Sequence, residues 1–118
     1  MEAKELMISD WVIDKSKKAQ VTSLTCDGII ETTASISNIE VVKPIPLSPE
    51  ILKANGFEYF KGTSSYVLQT TTASITLLWD YWYKCFCWHE AKIRNVHELQ
   101  HALRMCGLNE LADNFKLS

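Results

Sequence analysis

Asn95-Val96-His97-Glu98-Leu99-Gln100-His101-Ala102-Leu103-Arg104-Met105-Cys106-Gly107 admits two readings, and the choice between them decides how the chain is organised. As a helix over Val96 to Cys106 it is well formed. Asn95 is a suitable N-cap, Glu98 stands at the third helical position where an Asn variant of the capping box needs it, and Gly107 can end the helix in the left-handed conformation. Val96, Leu99, Leu103 and Cys106 recur at helical spacing with Ala102 beside them, an apolar stripe for docking on a sheet. His97, His101 and Arg104 fall along one polar flank, as on the exposed side of a docked helix. The same residues also spell H-E-x-x-H. His97 and His101, four apart, can reach one zinc ion, with Glu98 as general base on a metal-bound water.

A catalytic zinc needs a third protein ligand. After His101 the acids are Glu110 and Asp113 and no His follows, so neither an extended metzincin pattern nor a separate Glu-bearing helix is evident. His89, Cys85 or Cys87 would have to supply the ligand from upstream. The capping box accounts for Glu98 without a metal, so the helix reading is preferred: no catalytic residue, metal ligand or cofactor is assigned, and a zinc-dependent hydrolase is the competing reading. A structural metal on Cys85, Cys87 and His89 has the weaker spacing C-x-C-x-H rather than C-x-x-C.

Upstream of this helix the patterning is mostly β. Leu6 to Ile13, Ala19 to Leu24, Ile29 to Thr33 and Ile36 to Val42 read as a four-strand meander, with Asp14 to Lys18 and Cys26-Asp27-Gly28 as turns. Pro44-Ile45-Pro46 cannot continue a central strand, since proline has no N–H for the ladder. Ser48-Pro49-Glu50 opens a short helix by cap, fixed φ and charge, and Asn55-Gly56 ends it. A second β region follows, with strands from Phe57 to Phe60, Ser65 to Thr71 and Ala73 to Trp79, and with Tyr81 to Trp88 continuing or following the last. Leu108 to Phe115 adds a final helical turn.

At 118 residues, 47% hydrophobic and 22% charged, the chain has the composition of one folded domain, 1–118, divisible into a meander (1–47) and the helix, aromatic β region and terminal helix (48–118). A net charge of −2 with two arginines, Arg94 and Arg104, provides no positive field for a polyanion, which argues against nucleic acid. No apolar run reaches the roughly 18 to 20 residues of a membrane span, and the first residues lack a signal-peptide pattern, so a cytoplasmic protein is expected. There the cysteines, Cys26, Cys85, Cys87 and Cys106, read as reduced.

Trp79-Asp80-Tyr81-Trp82-Tyr83-Lys84-Cys85-Phe86-Cys87-Trp88-His89 is the second unusual feature. If extended throughout, it puts Trp79, Tyr81, Tyr83, Cys85, Cys87 and His89 on one face and Trp82, Phe86 and Trp88 on the other. The plain explanation is a central strand covered on both sides, by the helix and by the first β region. The functional one is an aromatic face for a partner or a stacked base, with Trp79, Tyr81, Tyr83 and Trp88 as binding residues. No Gly-rich phosphate loop accompanies it.

Four blocks of the chain resemble a group of small uncharacterised proteins from Bacteroidota genomes, phages and mobile elements. They are Leu6 to Val12, Pro44-Ile45-Pro46-Leu47-Ser48-Pro49-Glu50-Ile51-Leu52, Asn55-Gly56-Phe57 and Val96 to Arg104. The resemblance implies provenance and brings no catalytic function. It also implies tolerance of Gln at the position of Glu98 and of Asn at that of His101, which would remove the base or a ligand.

The expected fold is therefore α+β: an antiparallel meander of the kind a small SH3-like barrel contains, a short central helix, and a C-terminal helix packed on a second sheet. The expected function is non-enzymatic binding, by an accessory protein of a phage or mobile element that engages a host protein or sequesters a small signalling ligand, with blunting of a defence system as one outcome. A homo-oligomer burying its aromatic strand is a third reading.

Overall fold

The computed structural model of the chain describes residues 6–25, 29–39 and 42–117. The expected Cys26-Asp27-Gly28 turn lies outside them. Among the described residues, two five-stranded antiparallel sheets and three short helices make an α+β fold. The first sheet contains β1 (Trp11–Asp14), β2 (Lys17–Leu24), β3 (Ile29–Thr32), β4 (Ile36–Asn38) and β5 (Val42–Pro44), in the order β4-β3-β2-β1-β5. The expected meander thus gains a fifth strand that returns to pair with β1, Ile13 opposite Lys43. β2 is irregular between Val21 and Ser23, where its pairing with β3 shifts register. Pro44 is tolerated because β5 is an edge strand.

Two expectations for this half need correction. The strand does not run from Leu6: Ser9 takes a positive φ of 76° and Asp10 Oδ2 accepts the Met7 N–H at 2.7 Å, so a turn precedes β1. Ile36 to Val42 is not one strand either, since β4 ends at Asn38 and Val42 belongs to β5. The meander buries Leu6, Val12, Val21, Ile30 and Val42 as its own small core.

α1 (Pro49–Ala54) forms where the sequence predicts it: Ser48 Oγ accepts the Ile51 N–H, Pro49 opens the helix, and Gly56 follows its end at φ 90°. The second sheet follows, with β6 (Glu58–Phe60), β7 (Ser65–Gln69), β8 (Ser74–Asp80), β9 (Cys85–Trp88) and β10 (Ala91–Ile93) ordered β10-β9-β8-β7-β6. α2 (Val96–Met105) and α3 (Asn109–Asp113) follow the second sheet. The larger core lies between one face of this sheet and the helices. Leu52 of α1, Leu68, Ile75 and Leu77 of the sheet, and Leu99 and Leu103 of α2 are buried there, each worth about 2 kcal/mol of transfer free energy.

Trp11 and Ile13 of β1 also pack against this core, so β1 belongs to both halves. The segment leading into α1 reinforces the joint: Val96 N–H donates to Ile45 O at 2.8 Å, Leu47 N–H to Arg94 O at 2.9 Å, and Pro46 bridges Asn95. No described helix is long and apolar enough to cross a membrane.

Candidate functional site

Within α2 the apolar stripe faces the core as expected, but the opposite flank is not a solvated face. His97 and Gln100 are buried, and His101 and Arg104 half-buried. The reason is the turn before β1, which lies against this flank. Asp10, fully buried, receives His101 Nε2 on Oδ2 at 2.6 Å and Arg104 Nη1 on Oδ1 at 2.7 Å. Gln100 uses its whole amide: Oε1 accepts the Trp11 N–H at 2.9 Å, and Nε2 donates to Ser9 O at 2.9 Å and to Ala112 O at 2.8 Å. Trp11 Nε1 donates to Phe115 O at 2.7 Å. Helix α2, strand β1 and the segment around Ala112 to Phe115 are stitched together at one place.

Glu98, the general base of the competing reading, has its Oε1 at the start of the helix, accepting from the backbone amides of Asn95 at 2.9 Å and Arg94 at 3.2 Å. That is the reciprocal half of the capping box, as the spacing predicts. The His97 and His101 rings stand edge to face, 5.7 Å between centroids. Among the described residues no three His, Cys, Asp or Glu side chains gather where they could hold one metal ion.

A second buried carboxylate went unread in the sequence. Asp14 accepts hydrogen bonds from the hydroxyls of Thr32 (2.7 Å), Ser35 (2.9 Å) and Ser37 (2.7 Å). Burial pushes its carboxyl up, but these hydroxyls and Lys15 outweigh that, and the net shift is downward.

The aromatic stretch is a hairpin, not one extended strand. β8 ends at Asp80, residues 81–84 turn, and β9 returns with Trp79 opposite Phe86 and Asp80 opposite Cys85. The expected division of faces is therefore overturned: Trp79 and Phe86, placed on opposite faces by simple alternation, lie together, their ring centroids 4.9 Å apart. Asp80 Oδ1 organises the turn by accepting the N–H groups of Trp82 at 2.8 Å and Tyr83 at 3.1 Å. At its tip Tyr81 is 71% and Trp82 86% exposed.

The four sequence-selected aromatics separate accordingly. Trp79 and Tyr81 line a cleft of about 280 Å³ on the helix-facing side of the sheet. Tyr83 lies elsewhere, with the Lys92 ammonium 3.5 Å from its ring centroid, and Trp88 is half-buried against the core. Tyr59, Tyr66 and Phe86 complete the aromatic lining, while Leu47, Ser48 and Pro49 close the cleft beside α1. Tyr66 contacts Tyr59 at 4.9 Å and Phe86 at 5.6 Å between centroids. Sequence reasoning missed these three because their meeting depends on strand register.

The other face of the sheet is not covered by the first β region: Phe60 and Leu78 stand about half exposed there. Cys85, Cys87 and Cys106 are free thiols, and burial, followed by the neighbouring Cys85, pushes the Cys87 thiol up, away from the reactive thiolate. Comparison of the chain with protein-family models, with curated proteins and with solved structures finds no match.

Proposed function

We propose that this protein is a non-enzymatic binding module whose site is the aromatic cleft together with the hairpin tip beside it. The observation that carries the reading is the continuity of the two: Tyr81 both lines the cleft and stands at the tip next to Trp82. Large aromatic groups held in solvent by a turn fastened at Asp80 gain no burial on folding and leave apolar surface for a partner, and Trp and Tyr concentrate binding energy at interfaces. The engagement of Glu98 by backbone amides and of His101 by Asp10 supports a structural role for the H-E-x-x-H residues. On the resemblance of its sequence blocks, we assign the module to the accessory proteins of phages or mobile elements, acting on a host protein or a small signalling ligand.

The test compares wild type with Tyr81→Ala/Trp82→Ser in partner capture and in thermal shift across a small-molecule panel. Both sites are exposed, so stability should change by no more than about 0.5 kcal/mol per substitution, while binding is lost. Binding undiminished in the double variant would overturn the assignment of the site. One zinc per chain in native mass spectra of untagged protein purified without chelator, lost in His97→Ala, would overturn the non-enzymatic reading.

A further inference from the structure

Cys85 is 2% exposed, yet it belongs to neither hydrophobic core. The strand register explains this. Phe86 turns to the helix-facing side of the second sheet beside Trp79, so Cys85 and Cys87 point to the opposite face, where Cys87 lies between Leu78 of β8 and Lys92 of β10. Lys92 extends to the Tyr83 ring, its ammonium 3.5 Å from the centroid, so a cation and an aromatic ring share this face with the thiols. Leu78 is exposed and Cys87 half-buried, which leaves the pair a way to solvent. A cysteine that serves only as a small hydrophobe packs in a core.

Two residues apart on a strand, the parallel Cβ atoms of Cys85 and Cys87 stand about 6.6 Å from one another. A disulfide needs them within roughly 3.5 to 4.5 Å. An ion inserted between the sulfurs adds two bonds to the bridge and spans the wider gap. Burial, then Cys85 by charge and as a hydrogen-bond partner, raises the Cys87 thiol; Asp80 adds to the rise and Lys92 opposes it. Cys87 is thereby a poor nucleophile, but an ion that prefers sulfur displaces protons from thiols.

The donors select the ion. Thiolates are soft ligands that favour Cu(I), zinc and iron–sulfur clusters. Structural zinc takes four ligands and the clusters are held by four cysteines, whereas among the described residues no third His, Cys, Asp or Glu joins this pair. Cuprous ion is soft and is held by two sulfurs alone. We propose that Cys85 and Cys87 form a two-coordinate site for the cuprous ion, entered from the open face of the second sheet. One ion and two thiols give a bis-thiolate complex of charge −1, facing the Lys92 ammonium, and two protons leave to solvent.

Anaerobic titration of the full chain with cuprous ion against bathocuproine disulfonate would measure stoichiometry and affinity, in a Cys26→Ser/Cys106→Ser background so that only the pair is counted. One ion per chain is expected. Cys85→Ala and Cys87→Ser should each weaken binding by at least about a hundredfold, because the second sulfur is already in place beside the first. Far-ultraviolet circular dichroism would establish folding, and Cys87→Ser, at the half-buried position, decides the matter if Cys85→Ala does not fold. Between pH 6 and pH 7 the affinity should rise about a hundredfold, as two displaced protons require, against about tenfold for one. X-ray absorption at the copper edge should show two sulfur neighbours. Undiminished binding in Cys87→Ser, or none in the parent chain, would overturn the site. Three or four neighbours, one ion shared by two chains, or zinc bound as tightly as the cuprous ion would overturn its two-coordinate character.

Discussion

Replacing Gln100 by Leu keeps the volume of a fully buried side chain and removes three hydrogen bonds made by one amide. Of the three partners, Ser9 O keeps a second donor in Gln20 Nε2 at 3.1 Å. The Trp11 amide and Ala112 carbonyl lose the partner described above while enclosed by helix and strand. A net value of about 1 kcal/mol for each bond gives about 3 kcal/mol, rising toward 5 as unsatisfied groups bear their desolvation cost. At about 2.1 cal/mol/K per residue, the unfolding entropy of 118 residues is roughly 0.25 kcal/mol/K, so Tm should fall by about 12 to 20 °C. Urea unfolding followed by tryptophan fluorescence and by circular dichroism would measure the loss at 25 °C. Gln100→Glu should be no better, because a carboxylate keeps the bond from Trp11 and cannot donate to either carbonyl. A loss below about 1 kcal/mol in Gln100→Leu would refute the view that this amide joins the two halves.

Asp10→Ala leaves the half-buried Arg104 without its closest partner, and should cost about 3 to 5 kcal/mol in urea unfolding; a loss under 1 kcal/mol would reduce the pair to a surface contact. Glu98→Gln should unfold within about 0.5 kcal/mol of wild type and Glu98→Ala about 1 kcal/mol below it, since Gln serves in a capping box and Ala does not. Equal losses in the two would remove the capping role. For Asp14 the folded carboxyl titrates below its unfolded value, so its contribution is complete above pH of about 4 and is lost as pH falls through the folded value. Wild type should therefore lose more stability between pH 6 and pH 3 than Asp14→Asn, as denaturant midpoints at the two pH values would show.

Where local chemistry decides structure, the sequence was readable. Ser48-Pro49 and Asn55-Gly56 bracket α1, and Asn95, Glu98 and Gly107 bracket α2, because caps and left-handed glycines act within a few residues. The hairpin at 81–84 was hidden because Lys84 adopts a positive φ of 52° without glycine, and Asp80 was its one local signal; the next turn, from β9 into β10, is made in the same way by His89 at φ 55°. Reading Tyr81 and Tyr83 as strand residues then put the aromatic groups on the wrong faces. The flank of α2 was misjudged for a different reason: Asp10 meets His101 across 91 positions and Arg104 across 94, and periodicity does not report a partner so distant. Return of β5 to β1 is likewise a matter of topology.

The joint between β1 and α2 also sets an order of events during synthesis. Trp11 and Gln100 are 89 positions apart, so the meander emerges from the ribosome well before the groups that receive its first strand exist. Until the final helices follow, the Asp10 carboxylate remains hydrated and the core-facing sides of Trp11 and Ile13 have nothing to cover them. Closing a loop of this length is slow compared with forming α1 or a hairpin. Gln100 thus completes a strand made long before it, and a nascent chain halted before Arg94 would hold two sheets still unlocked from one another.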